Sequence, residues 1–224
     1  MQLLVVSDVH GNRVALDAVL ADAPAVDGVV CAGDVVGYGP WPRECLRWVH
    51  ESDATTVQGN HDRAVANDTE FRFNRMAGAG VEYARESLTA AEREWLAGRP
   101  TERRVADGRV KVVHGHPDDP DRYTRPDEFG PDLLGRGDGP PEDVLVMGHT
   151  HVQHHEVYHD GVVMNPGSVG QPRDDDPRAA YAVLDLDEMR VDERRTGYDV
   201  DRVVEAVDDA DLPRRIGTRL REGR

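Results

Sequence analysis

Eight side chains able to hold divalent cations are scattered along the chain: Asp8, His10, Asp34, Asn60, His61, His114, His149 and His151. Carboxylate, imidazole and amide donors together suit Mn, Fe, Zn or Co better than a thiolate site would. The set is larger than one tetrahedral ion needs. It suits a pair of ions sharing a bridging carboxylate, roughly 3.5–4 Å apart. Such a pair lowers the pKa of a bridging water towards about 7 and clamps phosphate oxygens. That is chemistry for hydrolysing phosphate esters.

These donors act together only if the fold gathers them. "LLVVSD" (3–8) is a short apolar run with β-branched residues and reads as a buried strand. "NRVALDAVLADA" follows with helical spacing, "GVVCAGD" (28–34) is a second strand, and "PRECLRWVHES" (42–52) a helix with Pro42 in its first turn. "ATTVQGN" (54–60) is a third strand. Strand alternating with helix implies a mostly parallel sheet. Residues 61–97 carry helical spacing, with Thr89 and Glu92 placed for a capping box. Residues 103–115 read as a hairpin on Asp107–Gly108. Residues 117–141 read as an irregular loop with one short helix. Runs at 143–149, 154–167 and 179–195 are again strands and hairpins, so the second half is expected to be mostly antiparallel. The tail reads as two short helices broken near Asp211–Pro213. No repeat or linker divides the chain, and residues 1–224 read as one domain.

In open parallel sheets, ligands bind beyond the carboxyl ends of strands. Asp8 and His10 lie just past the first strand, Asp34 ends the second, and Asn60 and His61 end the third. His114 ends "VKVVHG" and His149 ends "VLVMGH". His151, two residues on, points the same way if the segment is extended.

Composition narrows the setting. The chain has 43 acidic and 27 basic residues, a formal net charge of -16, and Lys111 as its one lysine. Such a surface repels nucleic acid. It is expected either of a halophile, in which salt screens the self-repulsion, or of a GC-rich genome. The N-terminal apolar run is too short for a signal peptide, and no window reaches the length of a membrane span. Cys31 and Cys45 read as free thiols. The expectation is a soluble cytoplasmic protein acting on a small ligand, with no membrane partner and with homo-oligomers open.

The blocks "DVH" (8–10), "GDVVGYG" (33–39), "GNHD" (59–62), "VVHG" (112–115) and "GHTH" (148–151) occur complete and in order. Together they resemble the calcineurin-like metallophosphoesterases, in the small bacterial and archaeal branch. "NPGSVGQPRD" (165–174) and "DLPRRIGTRLREG" (211–223) extend the likeness almost end to end. The resemblance implies an α/β fold, a four-layer α/β/β/α sandwich of two mixed sheets flanked by helices. It implies two divalent ions, Mn2+ or else Fe, Ni, Co or Zn. Asp8, His10 and His151 would bind the first ion, Asp34 would bridge, and Asn60, His114 and His149 would complete the second. A metal-bridging hydroxide would attack phosphorus in a phosphodiester or phosphomonoester. His61 would assist the leaving group, and Asp62 would orient His61.

The remaining candidates carry less signal. Asn12 is read as a phosphate donor or a helix cap. Arg173 is read as a bidentate phosphoryl clamp or an ion pair with Asp174 to Asp176. Tyr38 and Trp41 are read as loop packing rather than an apolar wall for a base or aryl group, His116 as pocket wall or substrate contact, and Gly167 and Ser168 as a turn beside the site. His50, His154, His155 and His159 are read as surface or edge residues. The alternative to an enzyme is a scaffold, because the same fold serves as an interaction module in the retromer coat. The intact "GNHD" histidine, His61, favours the enzyme.

Overall fold

The alternating apolar residues of the first strand explain the layering. In β1 (Gln2–Val6), Leu4 and Val6 pack under helices while Leu3 and Val5 face a second sheet. The computed structural model describes residues 1–67, 73–137 and 139–224. Residues 68–72, within the helical reading of 61–97, and Asp138, within the expected loop, lie outside the described residues.

One sheet pairs β1 in parallel with β2 (Gly28–Cys31), and β2 in parallel with β3 (Thr55–Thr56). On the other side of β1 run the antiparallel strands β9 (Ala179–Asp185) and β10 (Arg190–Thr196). The order is β10-β9-β1-β2-β3. The second sheet is built from β4 (Glu102–Val105), β5 (Val110–Val113), β6 (Val144–Val146), β7 (Gln153–Tyr158) and β8 (Gly161–Pro166), in the order β4-β5-β6-β8-β7. Its three central strands are parallel. This corrects the mostly antiparallel expectation. The hairpins β4–β5 and β7–β8 exist, but they flank a parallel centre that the long 114–143 connection makes possible.

The two sheets face each other across an apolar layer that includes Val5, Val30, Val112, Val146, Met164 and Leu184. Helices α1 (Arg13–Asp22) and α2 (Pro42–Glu51) cover the first sheet with Leu16, Val19, Cys45 and Leu46. Cys31 and Cys45 are buried free thiols. Beyond β3, the helices α3 (Asn60–Asn67), α4 (Arg75–Ser87) and α5 (Ala90–Ala97) follow one another, and Thr89 and Glu92 form the expected capping box. On the second sheet, Leu145, Met147 and Val163 are covered by Leu133. The loop there carries two 3-10 turns, Pro126–Glu128 and Pro131–Leu133, in place of the one short helix expected.

The tail forms α6 (Val200–Asp209), α7 (Arg215–Thr218) and a 3-10 turn, Arg219–Glu222. It packs on the loop after β2, where Tyr38 meets Val203, Val207, Ile216 and Leu220. The result is two mixed sheets flanked by helices, as the α/β/β/α expectation has it. No helix among the described residues is long and apolar enough to cross a membrane.

Several strands end sooner than expected, β1 at Val6 and β6 at Val146 among them, and the shifts at β2 and β3 matter most to the site. β2 stops at Cys31 because Gly33 (φ +92) and Asp34 (φ 53) turn into left-handed backbone. β3 is two residues long, so Asn60 and His61 sit in the first turn of α3 rather than on a strand.

Candidate metal centre

Six parallel strands, three from each sheet, present their carboxyl ends to one rim. There the chain turns sharply to aim side chains inward. Asp8 (φ 52), His10 (φ 47), Asp34 (φ 53), His149 (φ 68) and His151 (φ 61) all adopt left-handed backbone. L-residues avoid it at a cost of about 1–2 kcal/mol each. Backbone bonds hold the turns: Asp8 N–H donates to Gly33 O (2.9 Å) and His10 N–H to Asp34 O (2.9 Å).

The imidazoles are fixed in one tautomer. Nδ1 donates to a backbone carbonyl in His10 (Val36 O, 3.2 Å), His114 (Ala32 O, 2.7 Å) and His151 (Gln171 O, 2.6 Å). Each Nε2 is therefore the ring nitrogen that faces the centre. His149 is reversed: its Nε2 donates to Asp121 O (3.1 Å), leaving Nδ1 as the lone pair.

The resulting contacts are acceptor against acceptor. His10 Nε2 lies 3.2 Å from His151 Nε2, and Asp8 Oδ1 lies 3.2 Å from His151 Nε2 and 3.6 Å from His10 Nε2. Asp8 Oδ1 is buried without a hydrogen-bond donor, while Oδ2 takes bonds from the Ser7 hydroxyl and the His149 N–H. Asp34 Oδ2 lies 3.7 Å from His10 Nε2 and 3.4 Å from His114 Nε2, and Asn60 Oδ1 lies 3.2 Å from His114 Nε2. Two three-residue groups with ligand atoms within 4.8 Å of one another result, Asp8–His10–His151 and Asp34–His114–His149; a third joins His10, Asp34 and His61. Donor atoms gathered this closely fit divalent cations.

Electrostatics agree. Burial pushes His10 well below its usual value and His149 to about 4, so these rings are neutral donors. His114 is the exception: the Asp34 carboxylate outweighs the same burial and raises the ring to about 10, so its Nε2 shares with Asp34 a proton that a bound cation would displace. Asp34 itself stays well below the usual carboxylate range, because His114 and His61 outweigh its burial.

His61 lies against this cluster, 4.8 Å edge-on from His10 and tilted on Tyr38 (4.7 Å) and Phe73 (4.6 Å), ring to ring. Its Nδ1 is buried without a partner among the described residues, and its N–H on the backbone donates to Asp34 Oδ1 (2.9 Å). Asp62 does not touch the His61 ring as expected. Its two oxygens accept from Val36 N–H (3.1 Å) and Gly59 N–H (3.2 Å), tying the loop after β2 to the start of α3. Neighbouring residues in a helix point about 100° apart, which is why Asp62 faces away. Packed rings orient His61 instead.

Of the two readings of Asn12, the structure forms the helix cap. Its Oδ1 caps α1 through Ala15 N–H (3.1 Å), and its buried Nδ2 donates to Gly170 O (2.9 Å). Arg173 does face the centre. It bonds Gln171 Oε1 (2.7 Å) and Tyr38 OH (3.3 Å), while Asp174 pairs with Arg195. His116 is not pocket wall: its backbone N–H bonds Asp119 O and Arg122 O, and its Nδ1 accepts from Asp118 N–H, which folds the 116–122 loop. Ser168 donates to Asp8 O and steadies the turn, as read. His154 and His155 pair with Glu156 and Glu193 at the surface, His50 stacks on Trp95, and Trp41 packs under the tail.

A cavity of about 460 Å³ opens over Asp34, Asn60, His61, His149 and His151. Its other wall is Tyr38, Phe73, Tyr123, Arg173 and Arg219. Tyr38 is thus wall as well as packing. Phe73, Tyr123 and Arg219 were not legible as site residues. Only the tail block containing Arg219 carried a signal, and Tyr123, stacked on His149 at 4.0 Å, sits in irregular chain with no periodicity to read.

Residues 1–189 match the family model of the calcineurin-like phosphoesterase superfamily domain. A metallophosphoesterase of solved structure from Sphaerobacter thermophilus is 33% identical, with a TM-score of 0.83 over 100% of both chains. Protein MJ0912 of Methanocaldococcus jannaschii is 29% identical over 244 residues, covering 99% of this chain and 98% of that one. Phosphodiesterase YfcE of Escherichia coli is 29% identical over 207 residues, 85% of this chain and 91% of its own. Sequence blocks, sheet order and buried donors all point the same way as these matches, and the chain belongs to the calcineurin-like phosphoesterase superfamily.

Proposed function

We propose that the protein is a metal-dependent phosphoesterase that holds two divalent cations and hydrolyses small phosphate esters. The observation that carries the reading is the 3.2 Å approach of His10 Nε2 to His151 Nε2 beside an orphaned Asp8 oxygen. A cation among the three satisfies all of these atoms at once. In this reading Asp8, His10 and His151 hold one ion, Asn60, His114 and His149 the other, and Asp34 lies between. Mn2+ suits this donor set, as do Fe, Ni, Co and Zn. When bound, such a pair activates water and neutralises phosphate oxygens.

The chain's own residues do the rest. His61, pushed to about 4 chiefly by burial, is a neutral imidazole at pH 7. It serves the leaving group through its one N–H. Arg173, held by the neutral partners Gln171 and Tyr38, has its charge free for a phosphoryl oxygen. Asp62 supports the site by position, through the two backbone bonds described. In this reading residues 1–224 act as one domain on a soluble cytoplasmic substrate; the tail helices packed on Tyr38 support that unity.

The test is hydrolysis of bis-p-nitrophenyl phosphate and of p-nitrophenyl phosphate with each metal in turn. Turnover is expected only with metal. It is expected to vanish in Asp34→Asn and to fall about 10²–10⁴-fold in His61→Ala. If the folded, metal-loaded protein turns over neither ester, the scaffold reading replaces this one.

A further inference from the structure

On a chain with a net charge of -16, many surface arginines pair with carboxylates, as in Arg13–Asp17, Arg43–Glu92 and Arg109–Asp143. The side of the metal cavity formed by the tail gathers several that do not. Arg219 lines the cavity and also an adjoining groove of about 1270 Å³. The groove carries Arg75, Arg214, Arg215, Arg221 and Arg224, against a single acidic residue, Glu222. Arg214, Arg221 and Arg224 are paired, with Asp208, Asp201 and Asp175. Arg75, Arg215 and Arg219 have no carboxylate partner among the described residues, and neither has Arg173 across the cavity.

Arg219 is held in place without being neutralised. Its Nε donates to the backbone carbonyl of Arg224, which leaves the two terminal nitrogens for the cavity. It is half-buried, and the nearest charges acting on it include the like charges of Arg173 and Arg215. Crowding guanidinium groups without a counter-charge costs free energy that an anion recovers. Arg173 stands on the Tyr38 side, close enough for its charge to act on His61 and His151. Arg219 is the next cation outward, between that position and the groove.

We propose that Arg219, backed by Arg75 and Arg215 at the groove, is a second anion site beside the metal centre, and that the substrate is a phosphate ester carrying a further phosphate group. The inference rests on the phosphoesterase reading and narrows it. The scissile ester lies over the metal centre beside Arg173, and the additional phosphate lies at Arg219. A guanidinium meets phosphate with two parallel N–H bonds, so this residue sets specificity more sharply than a lysine would.

The test compares two chromogenic diesters on the metal-loaded protein. One is the p-nitrophenyl ester of thymidine 5′-phosphate, and the other is the same molecule with a 3′-phosphate. The ratio of their kcat/KM values is expected to favour the 3′-phosphorylated ester by about ten- to a hundredfold, the range of a charge-assisted contact. In Arg219→Ala and in Arg219→Gln the ratio is expected to collapse towards one. Arg214→Ala, in the same groove but already paired with Asp208, is expected to keep it. A wild-type ratio near one, or a ratio that survives both Arg219 variants, overturns the proposal while leaving the phosphoesterase reading intact. Binding by calorimetry decides the matter even if neither ester turns over. Thymidine 3′,5′-bisphosphate must bind more tightly than thymidine 5′-phosphate, and the difference must depend on Arg219. Fructose 1,6-bisphosphate is the arm without a base. Competition equal to that of the thymidine bisphosphate assigns recognition to the phosphates alone, and weaker competition adds the base to them.

Discussion

The candidate ligands crowd donor atoms that a cation would bring together favourably: they converge at 3.2–3.7 Å, and five of the residues sit in left-handed backbone that folding must hold. Folding therefore carries the cost of the centre, and binding returns it. A ligand that binds only the native state stabilises it by about 2.7 kcal/mol at a free concentration of a hundred times its Kd. Chelation is accordingly expected to lower the Tm of the metal-loaded protein by several degrees, and restored Mn2+ to recover it. In His114→Ala, which removes a donor whose Nδ1 bond to Ala32 O only orients it, the metal-induced gain is expected to shrink sharply. Differential scanning calorimetry with and without chelator reads both. A Tm indifferent to chelation in the wild type would sink the metal assignment.

Helix α4 shows how an element shapes the site through packing. Its Gly80 is buried against the loop that carries Tyr38: a Cβ there would lie 2.2 Å from Tyr38 N and 2.4 Å from its Cα. Gly78, on the same helix, has nothing within 4 Å of the same position. Gly80→Ala is expected to push Tyr38 off His61, costing about 1–3 kcal/mol of stability and most of the turnover. Gly78→Ala is expected to be neutral or to stabilise by up to about 1 kcal/mol, since alanine is the better helix former. Urea unfolding and ester hydrolysis of the two variants test the pair; equal behaviour would contradict the packing. The same elements show what the sequence made legible. Every donor was visible because each follows an apolar strand, and the motif blocks mark strand ends. The parallel centre of the second sheet was hidden, because its two hairpins have local signals while the pairing of β5, β6 and β8 is long-range. Asp62 was misread because adjacency in a motif is not adjacency in space. Phe73, Tyr123 and Arg219 were missed because tertiary packing alone brings them to the cavity.

At the scale of the whole molecule, two electrostatic demands oppose each other. The chain carries 16 more acidic than basic charges, so its compact state repels itself. The arginine groove is a local exception, and anions reach it through that repelling field. Salt acts on both. The screening length falls from about 10 Å at 0.1 M to about 3 Å at 1 M. Self-repulsion summed over the surface is relieved first, because it acts over many pairs and long distances. The Tm of the protein is therefore expected to rise as KCl goes from about 0.1 M to about 1 M. Surface pairs such as Arg178–Asp176 and Arg194–Asp192 weaken on the same change, but exposed pairs contribute little each. Recognition of a second phosphate at Arg219 is expected to move the other way. The preference for the 3′-phosphorylated thymidine diester should fall with salt, while kcat/KM for bis-p-nitrophenyl phosphate changes less. Melting curves and the two-substrate ratio over one salt series measure both slopes. A Tm that ignores salt would show that the acidic surface reflects composition and exerts no net force on the fold. A ratio that ignores salt would show that the groove's arginines do not act on the substrate through charge.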